Sequence, residues 1–422
     1  MEQTAVEKKF GKYVMASMIT MFLQSAYSMI DGLFVSNLIG DTALSAVNVA
    51  WPIIAVVTAI GTGVGCGGAV MMSTKQGEGK NEESNIVRAN VILALLASSI
   101  VVTILFLILL TPLLKLMGAE GELLRLSQIY GRVMLTGGVL QILSCGLTPL
   151  LRNDNRAVSA MMIMVGGLFA NLGLDFVFMY VFHMGIGGAA GASLCAQLFT
   201  TVCCLMILCT KKTDPIRLSQ FMIRKEYWKK IFKTAVSPFG ISLTPSLLIL
   251  YHNVALLIGV AEGIQPLASY AYGAHDFHAI RKIRNKAIIT AMSVSFFLFI
   301  FTIATARFYP AIYGYEGEAA ELGYHAVMVT AAQLIFTGLV RVTNSFFYSV
   351  GKDKYSLFMI YFDPLIMTPL TIVILPRIFG LDGIWITAVV TQFILNIVAF
   401  GMFASHERQM KRMEAEKALA GK

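Results

Sequence analysis

The sequence predicts an all-α protein that crosses a membrane many times and consists of two repeated six-helix bundles. Three observations support this prediction. The composition is strongly apolar, with 57% hydrophobic and 14% charged residues and a mean hydropathy of +0.72, which is typical of polytopic membrane proteins. The apolar residues form separate segments long enough to span a bilayer. Glycine-containing patterns in the first half of the chain recur in the second half.

The charge and cysteine content exclude several other classes of protein. The net charge of +9 comes from short basic runs between apolar segments, so membrane topology explains it better than nucleic-acid binding. The cysteines lie within or at the edge of apolar segments, which indicates small core residues and not a disulfide framework. They are Cys66, Cys145, Cys195, Cys203, Cys204 and Cys209. The N-terminal segment has no cleavage signal before a long apolar run, so we expect it to be retained.

Eleven segments are long and apolar enough to be spans. They lie near 13–38, 44–74, 88–114, 128–151, 157–183, 186–210, 232–258, 287–313, 325–350, 355–378 and 383–404. A twelfth apolar piece, residues 261–273, is too short to be a full crossing.

Basic residues concentrate in alternate loops, which predicts the orientation. The predicted inner loops contain Lys75, Lys80, Arg88, Arg152, Arg156, Arg281, Lys282, Arg284, Lys286, Lys352 and Lys354, together with the basic residues of 211–233. The C-terminal tail is also basic. We therefore expect both termini in the cytoplasm, which requires an even number of crossings.

An internal repeat supplies the missing crossing. The pattern Gly67-x9-Gly77-x10-Arg88 recurs as Gly263-x9-Gly273-x10-Arg284, and Gly185-x2-Gly188-x8-Gln197 recurs as Gly380-x2-Gly383-x8-Gln392. The two shifts are 196 and 195 residues. Each half is therefore predicted to be a six-helix unit, with residues 1–210 and 234–404 as the lobes, 211–233 as a basic cytoplasmic linker and 405–422 as a cytoplasmic tail.

The first span does not follow the same shift. Aligning Asp31 with Asn253 requires a shift of 222, so the second half lacks about 26 residues, which we place between Asn253 and Gly263. This predicts a complete seventh helix and a truncated or re-entrant eighth helix.

Asp31 is the most informative residue of the first span. From Val14 to Ile39 the chain contains no other ionisable side chain except Tyr27. A carboxylate in the hydrocarbon core costs at least about 2.5–3.5 kcal/mol and usually faces a cavity or a partner. The alternative is a carboxyl group that only ties two helices together.

Three further polar residues are predicted to lie at the depth of Asp31. Asn171 and Asp175 are four residues apart and share one helix face. Counting at 1.5 Å per residue places Asp31, Asp175 and Ser193 each about 10–12 Å inside the outer boundary. This set of oxygens is suited to a proton or Na⁺. A structural polar contact between helices is the alternative.

Other polar or aromatic residues are candidates for lining a substrate cavity. Arg341 and Asp363 lie at matching depths on neighbouring spans, which favours a structural ion pair between them. The remaining cavity candidates are Tyr27, Met29, Trp51 and Asn253.

No nucleophile–base arrangement, metal-ligand spacing or nucleotide motif is recognisable. The run at residues 61–68, GTGVGCGG, lacks the Gly-Lys-Ser/Thr of a phosphate loop, and its glycines suit close helix packing. We therefore expect no enzyme activity, no cofactor and no metal apart from Na⁺ at Asp31, Asn171 and Asp175.

The chain resembles the multidrug and toxic compound extrusion (MATE) family in motifs that run in order along nearly its whole length. These are Asp31-Gly-Leu-Phe-Val, the glycine-rich stretch from Gly61 to Lys80, Leu151-Arg-Asn-Asp-Asn155, Asn171-x3-Asp175 with Ser193, and Gln265-Pro266 with Tyr270-x-Tyr-Gly-Ala274. The resemblance implies a twelve-helix, two-lobe antiporter that expels organic cations against Na⁺ or H⁺. It also implies that the cation site includes Asp31, Asn171 and Asp175, with Ser193 replacing a threonine.

The resulting hypothesis is a cation-coupled drug exporter of a bacterial cytoplasmic membrane that works by alternating access. We expect it to be a monomer, with the lipid bilayer and small organic cations as partners and no nucleic acid. One alternative is a lipid-linked oligosaccharide flippase, which needs a cationic cavity. Another is a non-transporting membrane scaffold, which the shortened second half favours.

Overall fold

The structure is a computed structural model that describes residues 3–209, 220–246, 251–309 and 317–420. Within these ranges the regular secondary structure is helical. The first lobe contains α1 (Gln3–Ile39), α2 (Asp41–Gly77), α3 (Asn81–Leu116), α4 (Gly121–Thr136), α5 (Gly138–Leu151), α6 (Ala157–Asp175) and α7 (Gly185–Cys209). The second lobe contains α8 (Lys225–Ser246), α9 (Tyr251–Gly273), α10 (Phe277–Thr305), α11 (Gly317–Ala331), α12 (Gln333–Ser349), α13 (Asp353–Phe362), α14 (Thr368–Phe379) and α15 (Leu381–Ala420).

The described helices group into the twelve predicted spans. Seven helical segments are long and apolar enough to cross a membrane, and α11 with α12 forms a further span bent by 45°. One of the seven segments, Gly138–Val181, contains a break at Asn155, whose φ of 60° is left-handed. This break separates the fourth span (α4 and α5) from the fifth (α6 with a π-helical turn, Phe176–Val181). Helices α1, α8 and α9 complete the set.

The surface of α3 shows why these helices suit a bilayer. Ile100, Ile104 and Ile108 follow one another every four residues, and they are 54%, 55% and 69% exposed. Val91 and Leu95, on another face, are fully buried. Because a helix satisfies its own backbone hydrogen bonds, such an apolar outer stripe is stable against lipid.

The two hydrophobic cores exchange helices between the lobes. The core of the first lobe includes Ile231, Tyr227 and Trp228 from α8. The core of the second lobe includes Phe10, Tyr13 and Val14 from α1. The beginnings of α1 and α8 therefore each pack in the opposite lobe, and a movement of either helix acts on both lobes.

Glycines allow these exchanged helices to approach closely. A side chain at Gly67 of α2 would lie 2.8 Å from backbone atoms of Ile231 and Ala235 in α8. Gly263 of α9 approaches Val14 of α1 in the same way. Near the basic loops, Gly273 lies against the Thr74 backbone. The described contacts between the lobes thus concentrate towards the end that carries the basic loops, which we call the basic end.

The shortened hairpin of the second lobe differs from the sequence prediction in one respect. Helices α1 and α2 each have 37 residues, whereas α8 has 22 and α9 has 23. The matching glycine contacts relate α8 to α1 by a shift of 221, since Phe239 and Met18 occupy equivalent positions. By this shift, α8 ends level with Ser25. By the shift of 196, α9 begins level with Ala55. Each helix of this hairpin is therefore about 14 residues, or about 21 Å, shorter at the opposite end.

The prediction that all of the loss lies after Asn253 is wrong. Asn253 lies in α9 and not in the seventh span, so it is not the counterpart of Asp31. No described residue of α8 or α9 occupies the level of Asp31. Pro245 lies one residue before the end of α8, but prolines also lie inside the spans α2 and α3, so Pro245 alone did not mark where α8 ends.

Candidate functional site

Asn171 and Asp175 form the buried floor of the candidate site. They lie one helical turn apart in the last part of α6, just before the π-helical turn. The Asn171 Nδ2 donates a hydrogen bond to Asp175 Oδ2 over 2.9 Å. Asn171 is 5% exposed and Asp175 is fully buried. This hydrogen bond from the amide group orients the carboxylate.

Asp31 of α1 reaches the same place from a different helix. Its carboxyl group lies within side-chain hydrogen-bond range of Asp175. The Oδ1 of Asp31 is buried and has no hydrogen-bond partner within the described chain. Two carboxyl groups at this range bond to each other only when they share a proton, and otherwise a cation must offset their repulsion. The structure thus brings together Asp31, Asn171 and Asp175, as predicted from their depths.

Tyr130 is a fourth member that the sequence interpretation missed. It lies on α4, is 5% exposed, and its phenol is in electrostatic range of both Asp31 and Asp175. It is nine residues inside Gly121, about 13 Å at 1.5 Å per residue. The same count of depth along the helix would have selected Tyr130. It was not chosen as a candidate, because a tyrosine in an apolar span costs little free energy.

Ser193 is less closely integrated than predicted. It is half-buried on α7 and forms no hydrogen bond among the described residues. One turn further along α7, Gln197 has a buried Oε1 without a hydrogen-bond partner in the described chain. A role for Ser193 in binding a cation stays a prediction.

The second lobe has its own intramembrane carboxylate, Asp363, at the beginning of the π-helical turn Asp363–Met367. Asp363 Oδ1 accepts a hydrogen bond from Thr368 Oγ1 over 2.8 Å, and Oδ2 accepts one from Gln392 Nε2 over 3.1 Å. Arg341 on α12 is in electrostatic range. The expected association of Arg341 with Asp363 is therefore present, but Thr368 and Gln392 provide the direct bonds described here. Unlike Asp31, this carboxylate has a donor for each oxygen.

The other cavity candidates are placed as follows. Trp51 lies on α2 and is 43% exposed. Tyr27 and Met29 belong to α1 and Asn253 to α9, but their side chains fall outside the described residues. Within the described part of the chain, no group of three or more His, Cys, Asp or Glu side chains is arranged to hold a metal ion. The oxygens of Asp31, Asn171 and Asp175 have the chemistry that a transported proton or Na⁺ requires.

The fold and this site together define an all-α, multi-spanning membrane protein with two repeated lobes and intramembrane carboxylates, the architecture of a membrane transporter. A family model, MatE, matches residues 16–177 and 241–373. The chain therefore belongs to the MatE family, and the family resemblance indicated by its motifs is confirmed.

Relatives and solved structures agree with this assignment along nearly the whole chain. The chain is 22% identical to the multidrug export protein MepA of Staphylococcus saprophyticus, over 94% of this chain and 93% of that protein. MepA of Staphylococcus aureus strain N315 gives the same values. A multidrug resistance MATE family transporter in an outward-facing conformation has a TM-score of 0.90 at 23% identity, covering 96% of this chain and 97% of that one. A MATE protein in the bent conformation has a TM-score of 0.88 at 24% identity, covering 97% of each chain.

Proposed function

We propose that this protein exports small organic cations, including drugs, across a bacterial cytoplasmic membrane in exchange for protons or Na⁺. The relatives named as multidrug export proteins support the substrate class. The observation that supports ion coupling most strongly is the direct approach of the Asp31 and Asp175 carboxyl groups, with one buried oxygen of Asp31 left without a donor. Such an arrangement favours binding of a small cation.

Helix α1 provides the proposed link between this site and the rest of the molecule. It carries Asp31 near one end, and near the other end it carries Phe10, Tyr13 and Val14, which belong to the core of the second lobe. It runs as one helix from Gln3 to Ile39. Cation binding removes the repulsion between Asp31 and Asp175 and draws α1 towards α6. That displacement is transmitted along α1 to the contact between the lobes.

The direction of exchange follows from where the lobes touch. Their described contacts concentrate at the basic end, which we expect to face the cytoplasm, so the shape corresponds to a state open to the outside. An incoming cation binds to Asp31 and Asp175 in this state and favours release of the substrate. Separation of the lobes at the basic end then lets a new substrate enter and the cation leave inward.

Substitution of each carboxylate tests this proposal. Asp31→Asn and Asp175→Asn keep the shape of the side chain and remove its charge, so each should abolish resistance to cationic drugs while the protein remains in the membrane. Glu122→Gln is a matched control, because the Glu122 side chain is 57% exposed and pairs with Arg125 on the surface. Full resistance in both aspartate variants at normal expression would contradict the proposal.

A further inference from the structure

A buried ion pair joins the two lobes at a distance from the Asp31 site. Arg152 lies in the turn between α5 and α6, and Glu262 lies in the middle of α9. The Arg152 Nη1 donates to Glu262 Oε2 over 2.6 Å. The Arg152 side chain is 6% exposed, whereas that of Glu262 is 25% exposed. The arginine is thus enclosed, whereas the carboxylate stays partly exposed.

The pair lies where the two halves of the repeat meet. By the shift of 196, Glu262 corresponds to Cys66 and Tyr348 corresponds to Arg152. Both Cys66 and Tyr348 are buried and in electrostatic range of the ion pair. The first lobe therefore contributes the arginine and the thiol, and the second contributes the carboxylate and the phenol. A hydrogen bond from Gln265 Nε2 to the Cys66 carbonyl, 3.4 Å long, also crosses between the lobes.

An ion pair between lobes must break when the lobes separate. The pair between Arg88 and Asp154, with an Nη2–Oδ1 distance of 2.7 Å, lies within the first lobe and can persist. The ion pair between Arg152 and Glu262 cannot persist, because the two residues belong to different lobes. After separation the Glu262 carboxylate no longer has its guanidinium partner, while the Tyr348 phenol is in electrostatic range. A partly buried carboxylate without a cationic partner attracts the charged group of an organic cation.

We propose that Glu262 is a cation site with two alternating occupants. It binds the Arg152 guanidinium while the lobes are closed at the basic end, and it binds the cationic group of a substrate when they are apart. The substrate and Arg152 therefore compete for one carboxylate. This inference rests on the proposed export of organic cations, but it assigns a binding residue outside the Asp31 site.

Competition makes the two partners respond oppositely to substitution, which a purely structural ion pair does not do. In Arg152→Gln the competitor is gone, so a fluorescent organic cation should bind at least as tightly as in the wild-type protein. In Glu262→Gln the site itself is lost, and Kd should rise about tenfold. A neutral dye of similar shape should be unaffected by either change. Binding is measured at equilibrium on the purified full chain without an ion gradient.

Cys66 reports separately on closure, since it is 4% exposed beside the pair. Both single variants should increase maleimide labelling of Cys66 in everted vesicles by about an order of magnitude. The charge-swapped protein, Arg152→Glu with Glu262→Arg, should return labelling towards the wild-type rate. The labelling that is lost in Cys66→Ala is the part of the signal that comes from Cys66. Glu407→Gln is the matched control, because it breaks an ion pair with Arg281 within one lobe.

Equal shifts of Kd in the two single variants, or no shift in Glu262→Gln, would overturn the proposal. If the Arg152→Gln and Glu262→Gln proteins fold poorly, the charge-swapped protein provides the test. The proposal is then overturned if labelling of Cys66 in the charge-swapped protein is as high as in the single variants. Failure of ion-coupled export is distinguishable, because it would appear as transport indifferent to ion gradients while the opposite Kd shifts persist.

Discussion

Asp31 and Asp175 come from helices far apart in the chain, and each alone would be a costly charge within a bilayer. Their direct approach makes the two carboxyl groups an interacting pair, because like charges at this range repel each other. Asn171 fixes the orientation of Asp175 through its 2.9 Å hydrogen bond. Tyr130 adds a buried phenol in electrostatic range of both carboxyl groups. Four residues from α1, α4 and α6 therefore define the site.

Tyr130→Phe tests the membership of the fourth residue. The Tyr130 phenol lies in electrostatic range of Asp31 and Asp175, and a change of about 1.4 kcal/mol in ion binding is tenfold in affinity. We therefore expect the ion concentration for half-maximal efflux to change about tenfold, while drug binding without an ion gradient is unchanged. Tyr361→Phe is the control, since Tyr361 lies in the second lobe, away from the site, where its hydroxyl donates to the Val236 carbonyl. Identical ion dependence in Tyr130→Phe and wild type would remove Tyr130 from the site.

The sequence predicted the members of this site whose charge or polarity is costly in a membrane. Asp31, Asn171 and Asp175 stood out for that reason, and counting residues from the helix ends brought them to one level. The free-energy cost of placing a polar side chain in the membrane could not single out Tyr130, because a tyrosine is tolerated in an apolar span. The pairing of Arg152 with Glu262 joins residues 110 positions apart in different lobes, and no local pattern encodes that contact.

At the scale of helices, glycine determines how closely α2 and α8 pack. Gly67→Ala would force a Cβ to within 2.8 Å of backbone atoms of Ile231 and Ala235. Because backbone cannot move aside cheaply, we expect a loss of about 1–3 kcal/mol in the free energy of unfolding. Thermal unfolding in detergent measures the effect.

Gly401→Ala is the control for that measurement. Gly401 lies in α15, and an added Cβ there would meet nothing within 4 Å. Replacing glycine by alanine within a helix is worth about 0.5–1 kcal/mol, so this variant should be slightly more stable than wild type. Destabilisation of both variants to the same extent would mean that the close approach of α2 and α8 is not the cause.

The end of α15 is attached through ion pairs to α10. Arg281 donates to both oxygens of Glu414, at 2.7 and 2.8 Å. This hydrogen bond from Arg281 lowers the pKa of Glu414 below its ordinary value of 4.5. Because the pKa of Glu414 is lowered, its ion pair with Arg281 stabilises the attached end of α15 at pH values above 4.5. This stabilisation is lost as the pH falls from 4.5 through the lowered pKa. We therefore expect proteolysis of the segment after Glu407 to increase below about pH 4. The same pH profile in Glu414→Gln would contradict this assignment.

The short α8–α9 hairpin has a specific consequence for coupling. No described residue of α8 or α9 reaches the level of Asp31, so coupling is proposed to belong to the first lobe. Extending α8 and α9 by about 14 residues each, with the outer hairpin of a full-length relative, should alter drug preference and leave the ion-to-drug ratio unchanged. A changed ratio, measured in vesicles, would place part of the coupling in the second lobe.

At the scale of the whole molecule, the repeat explains both what was predicted and what was not. Apolar periodicity and the shift of 196 were sufficient for twelve spans in two lobes, because every span must satisfy its backbone within the membrane. The exchange of α1 and α8 between the cores was not visible, since both helices are apolar on the faces concerned. The end of α8 was misplaced because its apolar pattern continues into α9, and Pro245 resembles the prolines found inside other spans.

Ion-coupled export is tested most directly with purified protein in sealed vesicles loaded with a fluorescent organic cation. A pH gradient and a Na⁺ gradient are imposed separately, and transport of the dye is followed for the wild type and for Asp31→Asn. We predict that one of the two gradients drives transport in the wild type and that neither does so in Asp31→Asn. Gradient-driven transport at the wild-type rate in Asp31→Asn, or wild-type transport that responds to neither gradient, would contradict a coupling site at Asp31 and Asp175.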